Sequence, residues 1–148
     1  MTESHQDTIT ALRAFNRFHT QTFGVLDASF MGSGLSLVEA RVVYEVARKA
    51  PVLASDIRAA LGIDAGYLSR IVARFETRGL IVRGRGDDAR QRPITLTDAG
   101  QALFRSIDSD VYRQVSDSIA HLDAAGRTAL SQALNTVVDL LGGDLETV

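Results

Sequence analysis

"SDIRAALGIDAGYLSRIVARFETRGLIVR", Ser55 to Arg83, is the stretch whose reading decides the fold. Its first part spells a short helix over about 54–61, with Ile57 and Leu61 turned inward and Gly62 as the stop. Asp64 then offers a side-chain oxygen to the free amides of a second helix, predicted over 65–78. Leu68, Ile71, Val72 and Phe75 recur at helical spacing and make its apolar face. Gly79 ends that helix, and "LIVR" (Leu80 to Arg83) reads as a strand. A second strand candidate, "PITL" (Pro93 to Leu96), turns the residues between them into the loop of a β-hairpin. Short helix, turn with glycine, second helix and hairpin together are the winged helix-turn-helix arrangement. In it the second helix enters the major groove of DNA, and the hairpin reaches along the backbone or into the minor groove.

Working outward, "SLVE" (Ser36 to Glu39) is a capping box that starts a helix carrying Val42, Val43, Val46 and Ala47. That helix must stop before Pro51. Residues 7–30 predict a long amphipathic helix. Its seam is Ile9, Leu12, Asn16, His19, Phe23, Leu26 and Phe30, beside a second stripe of Phe15, Phe18, Thr22 and Val25. "GSG" (Gly32 to Gly34) breaks it. On the other side, Thr97 can cap a helix bearing Leu103, Ile107, Val111, Val115, Ile119 and Leu122. Asp123 caps a last one with Leu130, Leu134, Val137, Val138 and Leu141. The expected fold class is mainly α with a small β-hairpin wing, a single domain over 1–148. A winged helix-turn-helix lobe occupies about 36–96, with dimerisation helices over about 7–30 and 97–141. A lobe of about sixty residues cannot cover such long apolar stripes, so they predict a second copy in a twofold dimer.

Composition bounds the function. The chain has 148 residues, 45% apolar and 23% charged, ordinary for a globular protein. No apolar run is long enough to cross a bilayer, and the N-terminus lacks the pattern of a secretory signal, so the cytoplasm is the expected location. The absence of cysteine excludes disulfides and thiol switching, and His5, His19 and His121 lie far apart without ligand spacing, so no metal site is expected. No nucleophile stands beside a histidine, and there is no phosphate cradle and no carboxylate pair. The expectation is a non-enzyme with no catalytic residues and no cofactor. Charge is distributed unevenly. Arg70 to Arg92 holds seven arginines against three acids (Glu76, Asp87, Asp88), an excess of four in a chain whose net charge is −2. Lys49 is the only lysine; the other basic residues are all arginine, whose planar fork suits phosphate and base edges.

With the apolar face of the 65–78 helix buried, Ala65, Gly66, Tyr67, Ser69, Arg70, Ala73, Arg74 and Thr77 are left exposed. Small Ala65 and Gly66 permit close approach to DNA, and Ser69 can bond a base or phosphate. Arg70 and Arg74 lie one turn apart; an arginine bidentate to guanine is worth roughly 1–3 kcal/mol of discrimination. This face carries no acid of its own before Glu76. The hairpin tip, with Arg85, Arg90 and Arg92, suits a narrow and strongly negative minor groove. Asp88, two residues from Arg90, reads as wing support: a splint that holds the arginine side chain extended, or with Asp87 a residue that favours a tight turn, two readings that can coexist. The implied partner is double-stranded DNA with a pseudo-palindromic site, read by two helices about 34 Å apart. Asn16 and His19 interrupt the first helix's seam. With Phe15, Phe23 and Tyr44 they are candidates to line a small-molecule pocket; the competing reading is that the polar pair fixes the register of a dimer interface.

Three segments, "LSLVEARVVYEVA" (35–47), the stretch 55–83 and "DARQRPITLTDAG" (88–100), resemble the MarR (multiple antibiotic resistance regulator) family of dimeric winged-helix transcription factors. The resemblance covers nearly the whole chain, and Asp88, Arg90, Ile94, Leu96, Thr97 and Gly100 fit the family's wing signature. It implies a homodimer built from the first helix and the last two. It also implies DNA contacts from Ser69, Arg70 and Arg74, with Arg90 in the minor groove. Many such proteins repress a neighbouring operon and release DNA when a small aromatic or anionic effector binds between the dimer helices and the DNA-binding lobe. "AGYLSRI" and "FNRFHTQTFGVLD" look most like the regulator half of proteins fused to a GNAT-type acetyltransferase; no acetyltransferase is expected in this chain, and no catalysis carries over. Two positions depart from the family. Leu53 stands where relatives usually carry a threonine cap, a loss of about 1 kcal/mol, and Arg58 replaces a common alanine. The rival readings are a winged helix used for protein–protein contacts and a regulatory partner of a separately encoded enzyme. The intact face of Arg70, Arg74 and Arg90 favours DNA.

Overall fold

Ser36 sets the entry to the folded lobe. Its hydroxyl accepts from the Glu39 amide at 3.2 Å, and Glu39 Oε1 accepts from the Ser36 amide at 3.1 Å, so the capping box is closed in both directions. The computed structural model describes residues 2–22, 33–88 and 90–144. Within them the order is α1 (His5–Thr22), α2 (Leu37–Lys49), α3 (Ala54–Leu61), α4 (Ala65–Thr77), β1 (Ile81–Arg83), β2 (Ile94–Leu96), α5 (Asp98–Ile119) and α6 (Ala124–Leu140). The chain divides into two compact units, Met1–Val111 and Tyr112–Val148.

The core of the first unit gathers one face each of α2, α3 and α4. Ala40, Val42, Val43 and Val46 of α2 are buried, as are Ile57 of α3 and Leu68, Ile71, Val72 and Phe75 of α4. Phe75, Ile57 and Ile71 have no exposed surface at all, so the apolar spacing read from the sequence is the packing that forms. Asp64 Oδ2 accepts from the Tyr67 amide at 3.0 Å and starts α4. Leu53 precedes α3 without any side-chain cap bond, as its apolar side chain dictates.

β1 and β2 pair antiparallel with Ile81 opposite Leu96 and Arg83 opposite Ile94. Val52 adds a single antiparallel bridge to Ile94, with bonds of 3.1 and 2.8 Å in the two directions. The sequence reading missed this third element because one bridged residue is too short to show an alternating pattern.

One hydroxyl joins the wing to its neighbours. Thr97 Oγ1 donates to the carbonyl of Gly79 at 2.5 Å and accepts from the Gly100 amide at 3.1 Å, while the Thr97 amide donates to Leu80 O at 3.0 Å. Thr97 therefore caps α5 and ties it to the turn after α4 in the same contact. Gly79 makes that turn at φ +73, a left-handed conformation that a side chain would strain. Gly100 is buried, and a Cβ placed there would run into the main-chain oxygen of Leu80. The Leu-Thr-x-x-Gly signature thus has a steric basis: only glycine lets α5 start so close to the wing.

The predicted first helix is described over His5–Thr22 only; Phe23, Val25, Leu26 and Phe30 lie outside the described residues. No residue of α1 is buried, and Ile9, Leu12, Phe15 and Phe18 are exposed. In the second unit, Asp123 Oδ1 accepts from the Gly126 amide at 2.7 Å and caps α6, as read from the sequence. That helix likewise buries nothing and exposes Leu130, Leu134, Val137 and Leu140. Among the described residues no helix is long and apolar enough to cross a membrane.

The Gly100 contact generates a sharp expectation. Gly100→Ala should lower unfolding stability by about 3 kcal/mol, as overpacking against main chain cannot relax through a side-chain rotation. Urea denaturation followed by circular dichroism checks it; a loss no larger than that of an exposed-helix substitution such as Ser131→Ala would refute the steric account.

Candidate nucleic-acid interface

Because α4 buries Leu68, Ile71, Val72 and Phe75, its other side has to face outward. Gly66, Ser69, Arg70, Ala73 and Arg74 are all exposed there. Tyr67 is half-buried and packs against the core, so it is less free than the sequence reading made it. Its ring lies 6.0 Å from the Arg70 guanidinium carbon, at the reach of a cation–π contact that steadies the arginine at the start of the helix.

Arg74 is placed differently from its sequence expectation. Its Nη2 donates to Glu39 Oε2 of α2 at 3.0 Å, an ion pair between residues 35 apart in sequence. The acid that meets Arg74 comes from another helix. Arg74 remains 54% exposed, whereas only 15% of the Glu39 side chain is. Partial burial alone would raise the Glu39 carboxyl. The hydrogen bonds from the Ser36 amide, the Arg74 guanidinium and the Ser36 hydroxyl, together with the Arg74 charge, outweigh it and hold the group below the usual carboxylate range.

The wing contributes further arginines. Arg90 and Arg92 are exposed, and with Arg58 of α3 and Arg83 of β1 they line a cleft of about 440 Å³ between α3, α4 and the hairpin. Ser55 and Ser69 add hydroxyls, and Leu68, Val72 and Ile94 lie among the lining residues. Arg83 Nε donates to Glu76 Oε2 at 3.1 Å, fastening the strand to the end of α4. Asp88 Oδ1 accepts from the main-chain amide of Arg90 at 3.0 Å, and the Gln91 amide donates to Asp88 O at 2.9 Å. The described bonds of Asp88 are thus those of a turn, and none reaches the Arg90 guanidinium. Asp88 supports the wing through the backbone, as the turn reading expects.

Sequence reasoning picked out the exposed arginines of α4 and the wing, and flagged Arg58. It missed Glu39 and Arg83. Glu39 was read as a capping residue and nothing more, and no local spacing links it to Arg74. Of the pocket candidates, Phe15 and His19 come together on α1, with ring centroids 5.9 Å apart, and Asn16 is exposed on the same helix. Tyr44 packs against Phe104 at 5.7 Å, with the Arg48 guanidinium carbon 5.5 Å from its ring centroid. Phe23 lies outside the described residues.

Residues 33–92 match the MarR family model. That span runs from the turn before α2 to the wing tip and includes every arginine of the cleft. Solved structures extend the likeness to nearly the whole chain. A mutant MarR from E. coli complexed with operator DNA is 18% identical, with a TM-score of 0.69 over 93% of this chain and 99% of that one. CouR from Rhodococcus jostii RHA1 bound to p-coumaroyl-CoA is 20% identical, with a TM-score of 0.66 over 92% and 95%. Bordetella bronchiseptica BpsR, whose DNA binding is described as regulated by 6-hydroxynicotinic acid, is 19% identical, with a TM-score of 0.66 over 86% and 98%. At these identities the likeness is one of fold: the chain shares the winged-helix architecture of those structures. No curated protein matches the sequence.

The lowered Glu39 carboxyl carries a pH expectation. A carboxyl whose folded value lies below its unfolded one stabilises the fold at neutral pH, and that stability is lost as pH falls through the lowered value. Urea midpoints at about pH 7 and about pH 3 should therefore fall more for the wild type than for Glu39→Gln, whose amide does not titrate there. An equal fall in both would show that the Glu39 bonds add nothing to the folded state.

Proposed function

We propose that this chain is a sequence-specific, double-stranded-DNA-binding transcriptional regulator that works as a cytoplasmic homodimer. The observation that carries the reading is the exposure of Arg70 and Arg74 on the outward face of α4 and of Arg90 and Arg92 on the wing, with Ser69 of α4 and both wing arginines lining one cleft. Gly66 and Ser69 open the approach to base edges, Arg70 and Arg74 supply planar donors, and Arg90 and Arg92 suit the minor groove. Asp88 shapes the turn that presents them. The match of residues 33–92 to the MarR family, and the fold shared with a MarR solved on operator DNA, support the same reading.

The dimer follows from surface that water does not favour. α1 and α6 each expose a row of large apolar side chains, and a second copy is the partner a twofold regulator would use to cover them. Two recognition helices one turn of DNA apart, about 34 Å, then read a pseudo-palindromic site. The regulator acts as a repressor released by a small aromatic or anionic effector; the ring pairs Phe15–His19 and Tyr44–Phe104 are the candidate contacts. The 6-hydroxynicotinic acid and p-coumaroyl-CoA named for BpsR and CouR are of that chemistry.

An electrophoretic shift assay on the DNA upstream of the protein's own reading frame tests the proposal. Binding should be sequence-specific and weaken steeply with salt, because neutralised phosphates release counterions. Arg70→Ala should cost about 1–3 kcal/mol on the preferred site and relax base preference, while Arg90→Ala should weaken all duplexes alike and flatten the salt slope by about one. Folded variants with unchanged affinity would remove both residues from the interface.

The effector contact has its own measurement. A panel of aromatic acids should release DNA from the wild type and fail to release it from His19→Ala. Equal release from the two proteins excludes His19 from the site.

A further inference from the structure

Glu39 is anchored before Arg74 reaches it. Oε1 accepts from the Ser36 amide at 3.1 Å, the Glu39 amide donates to Ser36 Oγ at 3.2 Å, and the helix that carries both buries Ala40, Val42, Val43 and Val46 in the core. One carboxylate oxygen is therefore committed to the main chain of α2, which fixes the direction in which Oε2 points. Oε2 meets Arg74 Nη2 at 3.0 Å. The other pairs described here are of different kinds. Glu45–Lys49 is a local pair one turn apart on a single helix, and Glu76–Arg83 ties a strand to the end of α4. Among the described ion pairs, Glu39 alone reaches the exposed arginine row of α4 from a different helix.

Two consequences follow from charge and geometry. A guanidinium has five N–H donors, and one bond at Nη2 leaves the rest of the fork available on a side chain that is still 54% exposed. Held at one end, the arginine gives up little further rotamer freedom when the other end meets a base. The nearby anion also cancels its attraction for phosphates in general. A restrained arginine loses affinity for arbitrary duplex and keeps it for the one geometry it is aimed at.

We propose that Glu39 is a positioning residue for DNA selectivity, acting through Arg74: it aims the second arginine of the recognition helix and withholds its charge from indiscriminate phosphate contact. The inference rests on α4 being the DNA-reading helix. The depressed carboxyl of Glu39 keeps the pair ionised throughout the neutral range.

The experiment uses the full-length protein and two probes, a duplex that the wild type selects from a random-sequence library and a mixed-sequence duplex of equal length. Glu39→Gln retains an oxygen for the Ser36 amide and loses the charge. It should bind the mixed duplex more tightly, with a salt slope steeper by about one, and its selected-to-mixed affinity ratio should fall on the order of tenfold. In an Arg74→Ala background the same substitution should change neither slope nor ratio. Ser36→Ala weakens the cap and keeps the charge pair, so it should leave the ratio intact. The proposal is overturned by an unchanged ratio in Glu39→Gln, by the same change with and without Arg74, or by a matching loss in Ser36→Ala. A wild type that selects no duplex at all defeats the DNA-binding reading itself, a separate outcome.

Discussion

The whole arrangement depends on α4 burying one face completely. Leu68, Ile71, Val72 and Phe75 are removed from water together, and at roughly 1.5–3 kcal/mol for each large apolar side chain no competing rotation of the helix comes close. A turn of about 100° would drive Arg70 and Arg74 into the core, where an unpaired guanidinium is prohibitive. The outward direction of the arginines is thus a consequence of the packing of four apolar residues. The same helix supplies the floor of the cleft and the anchor for the wing, through Leu68, Val72 and the Glu76–Arg83 pair.

Around that helix the lobe is fixed by short polar contacts. The Ser36–Glu39 box, the Asp64 cap and the Thr97 hydroxyl each satisfy helix-end amides, and the last also joins α5 to the turn after α4. Asp88 does the same for the wing loop through the Arg90 amide. None of these bonds uses a guanidinium; among the described arginines of α4 and the wing, Arg83 is tied to Glu76, and Arg74, paired with Glu39, is the exposed exception. That exception is informative because the partner is a residue whose other oxygen already has work in the backbone.

Most of the fold was legible in the sequence, since helices announce themselves through period and caps. Leu68, Ile71, Val72 and Phe75 were read as the buried face and are buried; Ser36, Asp64 and Asp123 were read as caps and each makes its bond. The Val52–Ile94 bridge escaped because a single pair leaves no pattern. At the candidate site, exposure was legible and pairing was not. Arg74 and Glu39 stand 35 residues apart, and only the packing of α2 against α4 brings them together. Tyr67 was read as exposed because helical period counts faces, whereas its half-burial follows from ring size. Spacing alone likewise did not show that Asp88 would bond the Arg90 amide.

The positive surface of α4 and the wing is made of arginine throughout, with the chain's single lysine engaged by Glu45 on α2. Enzymes that acylate lysine find no substrate on this face. A lysine-directed modification therefore leaves the charge of this face untouched.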